Sequence, residues 1–185
     1  MGCAAPWRHR ERMMKPSFLL FVGAMIASTG IAAAQAAPTP IGSFKVWNAY
    51  VVNDAGGKIC FAASQPTDSK YSRTVSARGD TFFMVTSIPA KSIRNEASTI
   101  VGFPFKSDGE VTVDVDGTKF KMFFNEATAE TSWAMPDQEA ALIEAMKAGT
   151  RMTVSSISSR GTEVSDTYSL SGITAAIDAI NKECQ

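Results

Sequence analysis

The segment at residues 110–124, EVTVDVDGTKFKMFF, constrains the fold more than any other part of the chain. Valines at every second position from 111 to 115 alternate with polar residues, a period typical of a strand with one buried face. Asp116 and Gly117 then supply the two central residues of a type I′ hairpin turn. Because a lone hairpin is not stable in water, further strands must cover its apolar side. The segment therefore predicts an antiparallel β protein.

The same segment assigns structural roles to its two aspartates. Folding it about the turn places Val113 opposite Phe120, so that apolar residues face one another. The register also places Asp114 opposite Lys119, a pair of opposite charge. The full calcium-binding loop pattern is absent. We therefore interpret Asp114 and Asp116 as a solvent-face residue and a turn residue, not as a catalytic or calcium-binding pair.

Other segments extend this pattern along the chain. Strands are predicted at residues 43–54, 58–64 and 81–89, with a second hairpin at residues 151–170 that turns near Arg160 and Gly161. Helices are predicted at residues 135–149 and 171–185 from their apolar spacing and terminal residues. Loops are predicted at residues 64–73 and 90–105. Six to eight strands and two helices predict a mainly β fold, an antiparallel immunoglobulin-like β-sandwich with two peripheral helices.

The first 36 residues have the three-part layout of a secretory signal peptide. Basic residues precede an apolar run at residues 18–34, and AQA at residues 34–36 matches a cleavage pattern. An uncleaved anchor is the alternative, but glycine, serine and threonine interrupt the run, whereas a membrane-spanning helix needs about 20 steadily apolar residues. We predict a signal peptide at residues 1–36, with Met13 or Met14 as alternative starts. Residues 37–185 would form a single domain without a transmembrane segment.

Processing would change the composition of the protein. His9, the only histidine, and Cys3 would leave with the signal peptide. Four of the 18 basic and one of the 18 acidic residues would also leave, so 14 basic residues face 17 acidic ones and the net charge is −3. Most Ser-His-Asp, Cys-His and zinc catalytic sites need imidazole. With no phosphate-binding loop and no basic, aromatic-rich patch, we predict no cofactor, no metal site and no nucleic-acid partner.

The two remaining cysteines are predicted to form a disulfide. An exported protein meets an oxidising compartment, where two cysteines usually pair. Cys60 lies in a predicted strand, and Cys184 lies on the apolar stripe of the last helix, so it faces the protein body. Two buried free thiols, or bridges between chains, are the alternatives.

Five residues, Arg78, Gly79, Asp80, Glu96 and Trp133, are candidates for a surface role. Arg78, Gly79 and Asp80 spell the tripeptide that many adhesion proteins present to integrins, although a glycine and an aspartate before a strand are also ordinary turn residues. Trp133 follows a polar segment and is a candidate ligand platform, with packing under the helix as the alternative.

Glu96 is the acidic residue whose role the sequence explains least. With Asp137, Glu139 and Glu144 it would supply the carboxylates of a periplasmic hydrolase. The three helix carboxylates are also interpretable as solvated surface groups.

The order of several elements resembles the invasion-associated locus B family of secreted bacterial proteins. These elements are GGKICFAASQP, RGDTFFMVTSIP, RNEAST followed by GFPF, AMKAGTRMTVSSISSRGT and DTYSLSGITAAIDAINKEC. The resemblance extends from about Trp47 to Cys184, and it implies an immunoglobulin-like sandwich that is periplasmic, outer-membrane-associated or secreted. Members from pathogens are linked to host-cell invasion, and the family has no agreed catalytic site. We therefore expect a non-enzymatic envelope protein that binds an envelope or host-surface partner, with a carboxylate-based hydrolase as the alternative.

Overall fold

The computed structural model describes residues 37–185. Its strands are β1 (Thr39–Phe44), β2 (Trp47–Asp54), β3 (Gly57–Ser64), β4 (Asp68–Tyr71), β5 (Phe82–Ile88), β6 (Ile93–Ile100), β7 (Val111–Val115), β8 (Thr118–Phe123), β9 (Thr131–Ala134), β10 (Arg151–Ile157) and β11 (Glu163–Ser169). Its helices are α1 (Glu139–Ala148) and α2 (Ile173–Glu183), with 3₁₀ turns at Pro89–Lys91 and Glu126–Thr128. No helix in residues 37–185 is long and apolar enough to cross a membrane.

Within residues 37–185 the strands form one antiparallel sheet of eleven, in the order β1-β2-β3-β5-β6-β9-β8-β7-β10-β11-β4. Strands from distant parts of this order pack face to face. The indole Nε1 of Trp47 in β2 donates to the Ser169 carbonyl in β11 at 3.0 Å. The rings of Phe83 in β5 and Tyr168 in β11 meet edge to face, with centroids 6.0 Å apart. The prediction of a mainly β, antiparallel sandwich with two helices is confirmed.

The hairpin of β7 and β8 has the predicted register. Val113 pairs with Phe120, and Asp114 pairs with Lys119. Both turn residues have positive φ, 46° at Asp116 and 98° at Gly117, as a type I′ turn requires.

The turn carboxylates hold backbone groups in place. Asp114 accepts a hydrogen bond from the Gly117 amide at 2.7 Å. Asp116 accepts one from the Thr150 amide at 2.7 Å, and this bond lowers the pKa of Asp116 below its usual value. Both aspartates therefore have the structural roles that the sequence predicts.

The predicted loop at residues 90–105 is wrong over half of its length, because it contains β6. Asn95 in this strand has a positive φ of 57°, and a register shift separates Thr86 from Ile88 in the partner strand. These two irregularities break the alternation that identifies a strand in sequence. Pairing with β5 and β9 nevertheless orders the segment.

Two other boundaries also differ from the sequence prediction. Residues 64–73, predicted as a loop, contain the short edge strand β4, whose polar residues pair with β11. The predicted strand at residues 43–54 is two strands, β1 and β2, separated by a turn in which Lys45 has a φ of 59°. Neither the distant partner of β4 nor the turn at Lys45 has a local sequence signal.

The first helix begins later than predicted, at Glu139, because Pro136 and Asp137 lie in the turn before it. It ends as predicted before Gly149, whose amide donates to the Ala145 carbonyl at 2.8 Å.

Helix α2 closes the core against β1, β2 and β3. Its apolar stripe, Ile173, Ala176, Ile177 and Ile180, is fully buried. The structure contains the predicted disulfide between Cys60 in β3 and Cys184, with the two Cα atoms 6.0 Å apart. This bond fastens the C-terminal end of the chain to the sheet.

Candidate functional site

Arg78 fastens the irregular connection between β4 and β5 to strand β11. Its guanidinium donates to both carboxylate oxygens of Asp166, at 2.7 and 2.6 Å. The Arg78 side chain is 10% exposed and that of Asp166 is fully buried. Burial alone would lower the pKa of Arg78, but hydrogen bonds to Asp166 and Tyr71 raise it above its usual value. The pair is therefore an ionised, bidentate link inside the protein.

The same guanidinium lies against two aromatic rings. Its central carbon is 5.0 Å from the centroid of the Phe103 ring and 5.8 Å from that of Tyr71. Cation–π attraction of this kind favours a fixed orientation of both rings. Tyr71 keeps 39% of its surface exposed, so one of these oriented rings is open to solvent.

The Arg78-Gly79-Asp80 tripeptide is not presented as a unit at the surface. Arg78 faces the interior, whereas Asp80 is exposed. Gly79 packs against Gly102, and its amide donates to the Gly102 carbonyl at 3.0 Å. The geometry favours a structural role for Arg78 over an adhesion motif, which needs all three residues at an exposed loop tip.

A groove of about 740 Å³ opens where this connection meets the turn between β10 and β11. Three arginines, five serine and threonine residues and the rings of Tyr71 and Phe103 line it, and the side chains that the structure describes in its lining include no aspartate or glutamate. We call this the arginine groove, defined by Tyr71, Arg73, Arg78, Phe103, Ser159 and Arg160. Of its three cations, only Arg78 is neutralised by the buried Asp166.

Arg73 bridges the two sides of the arginine groove. Its guanidinium donates to the carbonyl oxygens of Gly161 at 3.1 Å and of Arg160 at 3.4 Å. Both Arg73 and Arg160 are exposed, and neither forms an ion pair with another residue of the described chain. The groove therefore presents two uncompensated, fork-shaped donors.

Sequence reasoning missed Arg73 and Arg160. They lie 87 residues apart, and each sits in a polar segment of ordinary composition. Only the pairing of β4 with β11 brings the two segments together.

Trp133 and Glu96 lie on a different surface, the outward side of β2, β3, β5, β6 and β9. Its apolar side chains, which we call the apolar face, are Tyr50, Phe61, Phe82, Met84, Ile100 and Trp133. Cross-strand pairing places Met84 and Trp133 on either side of Ser98. The Tyr50 and Phe61 rings stack with centroids 5.2 Å apart, and a groove of about 660 Å³ lies along this face.

Trp133 is half-buried on the apolar face, since its strand neighbours Ser132 and Ala134 point inward. Its ring centroid is 6.0 Å from that of Phe123, which is 41% exposed. Trp47, by contrast, is fully buried in the core. The platform role of Trp133 stays a prediction.

Glu96 pairs with Thr86 at the rim of the apolar face and lies near Glu139 of α1. The Glu139 carboxylate accepts a hydrogen bond from the Ala97 amide at 3.1 Å. Burial raises the pKa of Glu139, and the charge of Glu96 raises it further. Neither carboxylate lines the arginine groove or the groove on the apolar face.

The remaining hydrolase candidates lie at the surface. Asp137 is exposed, and Glu144 forms an exposed ion pair with Lys147 at 2.9 Å.

Comparison with known proteins agrees with the resemblance seen in the sequence. A search of curated protein sequences finds no match to the chain. The crystal structure of invasion associated protein b from Bartonella henselae matches the fold with a TM-score of 0.52 and 13% sequence identity. The match covers 78% of this chain and 97% of that one. The model of the invasion associated locus B (IalB) protein family matches residues 47–181, which is most of the chain, and the chain therefore belongs to that family.

Proposed function

We propose that the protein is an exported envelope protein that acts as a non-catalytic binding module, with the arginine groove as its ligand site. The observation that carries this proposal is the lining of the groove. Two exposed guanidinium groups without ion-pair partners in residues 37–185 lie there beside two aromatic rings. Small-molecule sites usually have this composition, an apolar wall with a few polar groups that orient the ligand.

Two features support export to the envelope. Residues 1–36 have the layout of a signal peptide. The Cys60–Cys184 disulfide suits an oxidising compartment such as the periplasm, since cytosolic thiols are kept reduced. The partner would be a component of the envelope or of a host surface. The descriptions of the family and of the Bartonella protein both name invasion, which supports host interaction as one form of this binding.

Site-specific photo-crosslinking in intact cells tests the proposal. A crosslinking amino acid at Ser76, an exposed residue of the arginine groove, should capture envelope or host-surface material. The same amino acid at Lys119, exposed at the β7–β8 hairpin, serves as the matched control. Capture at Ser76 should fall when Arg73 and Arg160 are both changed to Gln. Equal capture from both positions, or none at Ser76, would contradict the proposal.

The alternative function, a carboxylate-based hydrolase, is favoured by one observation. Burial raises the pKa of Glu139, and an acid with a raised pKa beside a second carboxylate is typical of glycosidases. The binding module is preferred because these two groups lie outside both grooves. Screening envelope polysaccharides and peptides for turnover, with Glu96→Gln as the comparison, distinguishes the two functions: a rate that the variant loses would establish the hydrolase.

A further inference from the structure

We propose that the ligand of the arginine groove is an acidic saccharide, a short stretch of sugar that carries carboxylate or phosphate groups. This inference rests on the proposed function and adds the chemical class of the ligand. Three properties of the groove lead to it: its charge, its mixture of hydroxyl groups with aromatic rings, and its continuation along the sheet.

The charge of the arginine groove selects for an anion. Arg73 and Arg160 form no ion pair within residues 37–185. Arg73 donates two of its five N–H groups to backbone carbonyls and keeps the others for a ligand. Planar guanidinium groups bind carboxylates and phosphates through two parallel hydrogen bonds. The domain at residues 37–185 carries a net charge of −3, so the protein as a whole does not attract anions. Attraction of an anion must therefore be local, and no aspartate or glutamate in the described lining of this groove competes with the ligand.

The uncharged part of the lining suits a sugar ring. Thr74, Ser76 and Ser159 are exposed and offer hydroxyl groups that both donate and accept hydrogen bonds. The exposed Tyr71 ring, held by Arg78, provides a flat apolar surface on which the C–H face of a pyranose can pack. A simple inorganic anion would use the arginines and leave the ring and these hydroxyl groups without contact.

The size and surroundings of the groove suit an oligosaccharide. Its volume of about 740 Å³ lies inside the range of about 300–1,000 Å³ that is usual for small-ligand sites. Past Tyr71 and Val164 it meets a second depression of about 490 Å³ along β4, β10 and β11. Ser155 and Ser165 lie in that depression together with Glu110 and Glu163, so it suits an uncharged extension of the saccharide and not a further acidic group.

Calorimetry on the exported protein tests the inference with four probes at low ionic strength. They are tetragalacturonate as a carboxylated saccharide, a mannose-6-phosphate oligosaccharide as a phosphorylated one, maltotetraose as a neutral sugar and inorganic polyphosphate as an anion without sugar. At least one acidic saccharide should bind more tightly than maltotetraose and polyphosphate. Which of the two binds identifies the acidic group.

Variants identify the residues responsible. Arg73→Gln and Arg160→Gln should each weaken binding of the acidic saccharide about tenfold or more, as expected for a lost charged hydrogen bond. Arg94→Gln is the matched control, because Arg94 is an exposed arginine outside the groove, and it should have no effect. Tyr71→Ala should weaken binding of the saccharide, whereas Tyr71→Phe, which keeps the ring, should retain it. Thermal unfolding of each variant verifies that it is folded.

Two results would overturn the inference. If polyphosphate binds as tightly as the acidic saccharides and Tyr71→Ala changes nothing, the groove recognises charge and not sugar. If none of the acidic saccharides binds, the ligand belongs to another class. In both cases the crosslinking test at Ser76 still decides the proposed function separately, since that test does not depend on the nature of the captured material.

Discussion

On both outward sides of the sheet, outward residues alternate with buried ones along each strand, but the outward side chains differ in composition. On β2, β3, β5, β6 and β9 the inward residues form the core, and the outward residues include the apolar side chains of the apolar face. On β7, β10 and β11 the inward residues are equally well buried, but the outward side presents hydroxyl groups, such as those of Thr112, Ser155 and Ser165. The core alone therefore does not explain the apolar face. Alternation specifies which side of a strand is buried, and the outward residues are available for function.

Each region also contains a long-range link that can be broken by a single substitution. Under the apolar face, Cys60 in β3 is bonded to Cys184 at the end of α2. Beneath the arginine groove, Arg78 pairs with Asp166 in β11, 88 residues further along the chain. One link is covalent and the other ionic, so each can be broken by changing a single residue.

Breaking the ionic link should have the largest effect on stability. Arg78→Met leaves Asp166 buried without its cation, and we expect the free energy of unfolding to fall by about 3–5 kcal/mol. Arg73→Met, on the exposed rim of the same groove, loses only two exposed hydrogen bonds to backbone carbonyls and should lower it by about 1 kcal/mol or less. Urea unfolding of both variants measures the difference.

A second change sharpens this test. Adding Asp166→Leu to Arg78→Met removes the uncompensated charge, so the double variant should recover part of the lost stability. If Arg78→Met costs no more than Arg73→Met, the ion pair does not hold the groove.

Breaking the covalent link should cost about 2–5 kcal/mol, the usual range for a native disulfide in a small secreted domain. The two cysteines are 124 residues apart, and the entropy of closing a loop of that length corresponds to roughly 5 kcal/mol as an upper figure. Cys60→Ser and Cys184→Ser should each show this loss, measured by urea unfolding under non-reducing conditions. The double variant should be no less stable than either, since one bond is lost in all three. Additive losses, or labelling of both thiols in the unfolded wild type, would contradict the bridge.

How much of the fold could be predicted depends on how far apart in the chain the interacting residues lie. The β7–β8 hairpin was predictable with its register, because Asp116-Gly117 and the alternating valines are neighbours in the chain. The disulfide was predictable because only two cysteines would remain after the predicted removal of a signal peptide. The strand β6 was not, since Asn95 and the irregular pairing near Thr86 disrupt its alternation.

The arginine groove could not be predicted for a different reason. Arg78 could be singled out only as part of a familiar tripeptide, because its partner Asp166 is distant in sequence. Arg73 and Arg160 converge only when β4 pairs with β11. Trp133 was predictable as a surface candidate, but the apolar face around it comes from strands whose neighbours are set by the whole sheet.

Adding a side-chain atom where Gly79 and Gly102 meet, beside the arginine groove, should lower the free energy of unfolding less than breaking either long-range link. A Cβ on Gly102 would clash with the Gly79 carbonyl oxygen, and the φ of Gly102 is +68°. Gly102→Ala should therefore lower the free energy of unfolding by about 2–3 kcal/mol, through overpacking and the left-handed backbone. Gly117→Ala is the matched control, because its φ is +98° but nothing lies within 4 Å of the added atom. It should cost about 1 kcal/mol. Equal losses in the two variants would show that the contact is relaxed in solution.

The smallest effect is expected on the apolar face, where the readout is fluorescence. The exported protein would contain two tryptophans, Trp47 in the core and Trp133 half-exposed beside Phe123. Iodide should therefore quench only part of the emission, and Trp133→Phe should remove that part while changing stability by less than about 0.5 kcal/mol, as is usual for surface substitutions. Iodide is an anion, and the negative charge of Glu96 could repel it from Trp133. Neutral acrylamide serves as the control, and it should also quench a part of the emission that Trp133→Phe removes. If Trp133→Phe leaves the quenched fraction unchanged, Trp133 is covered in solution and is not a platform for a ligand.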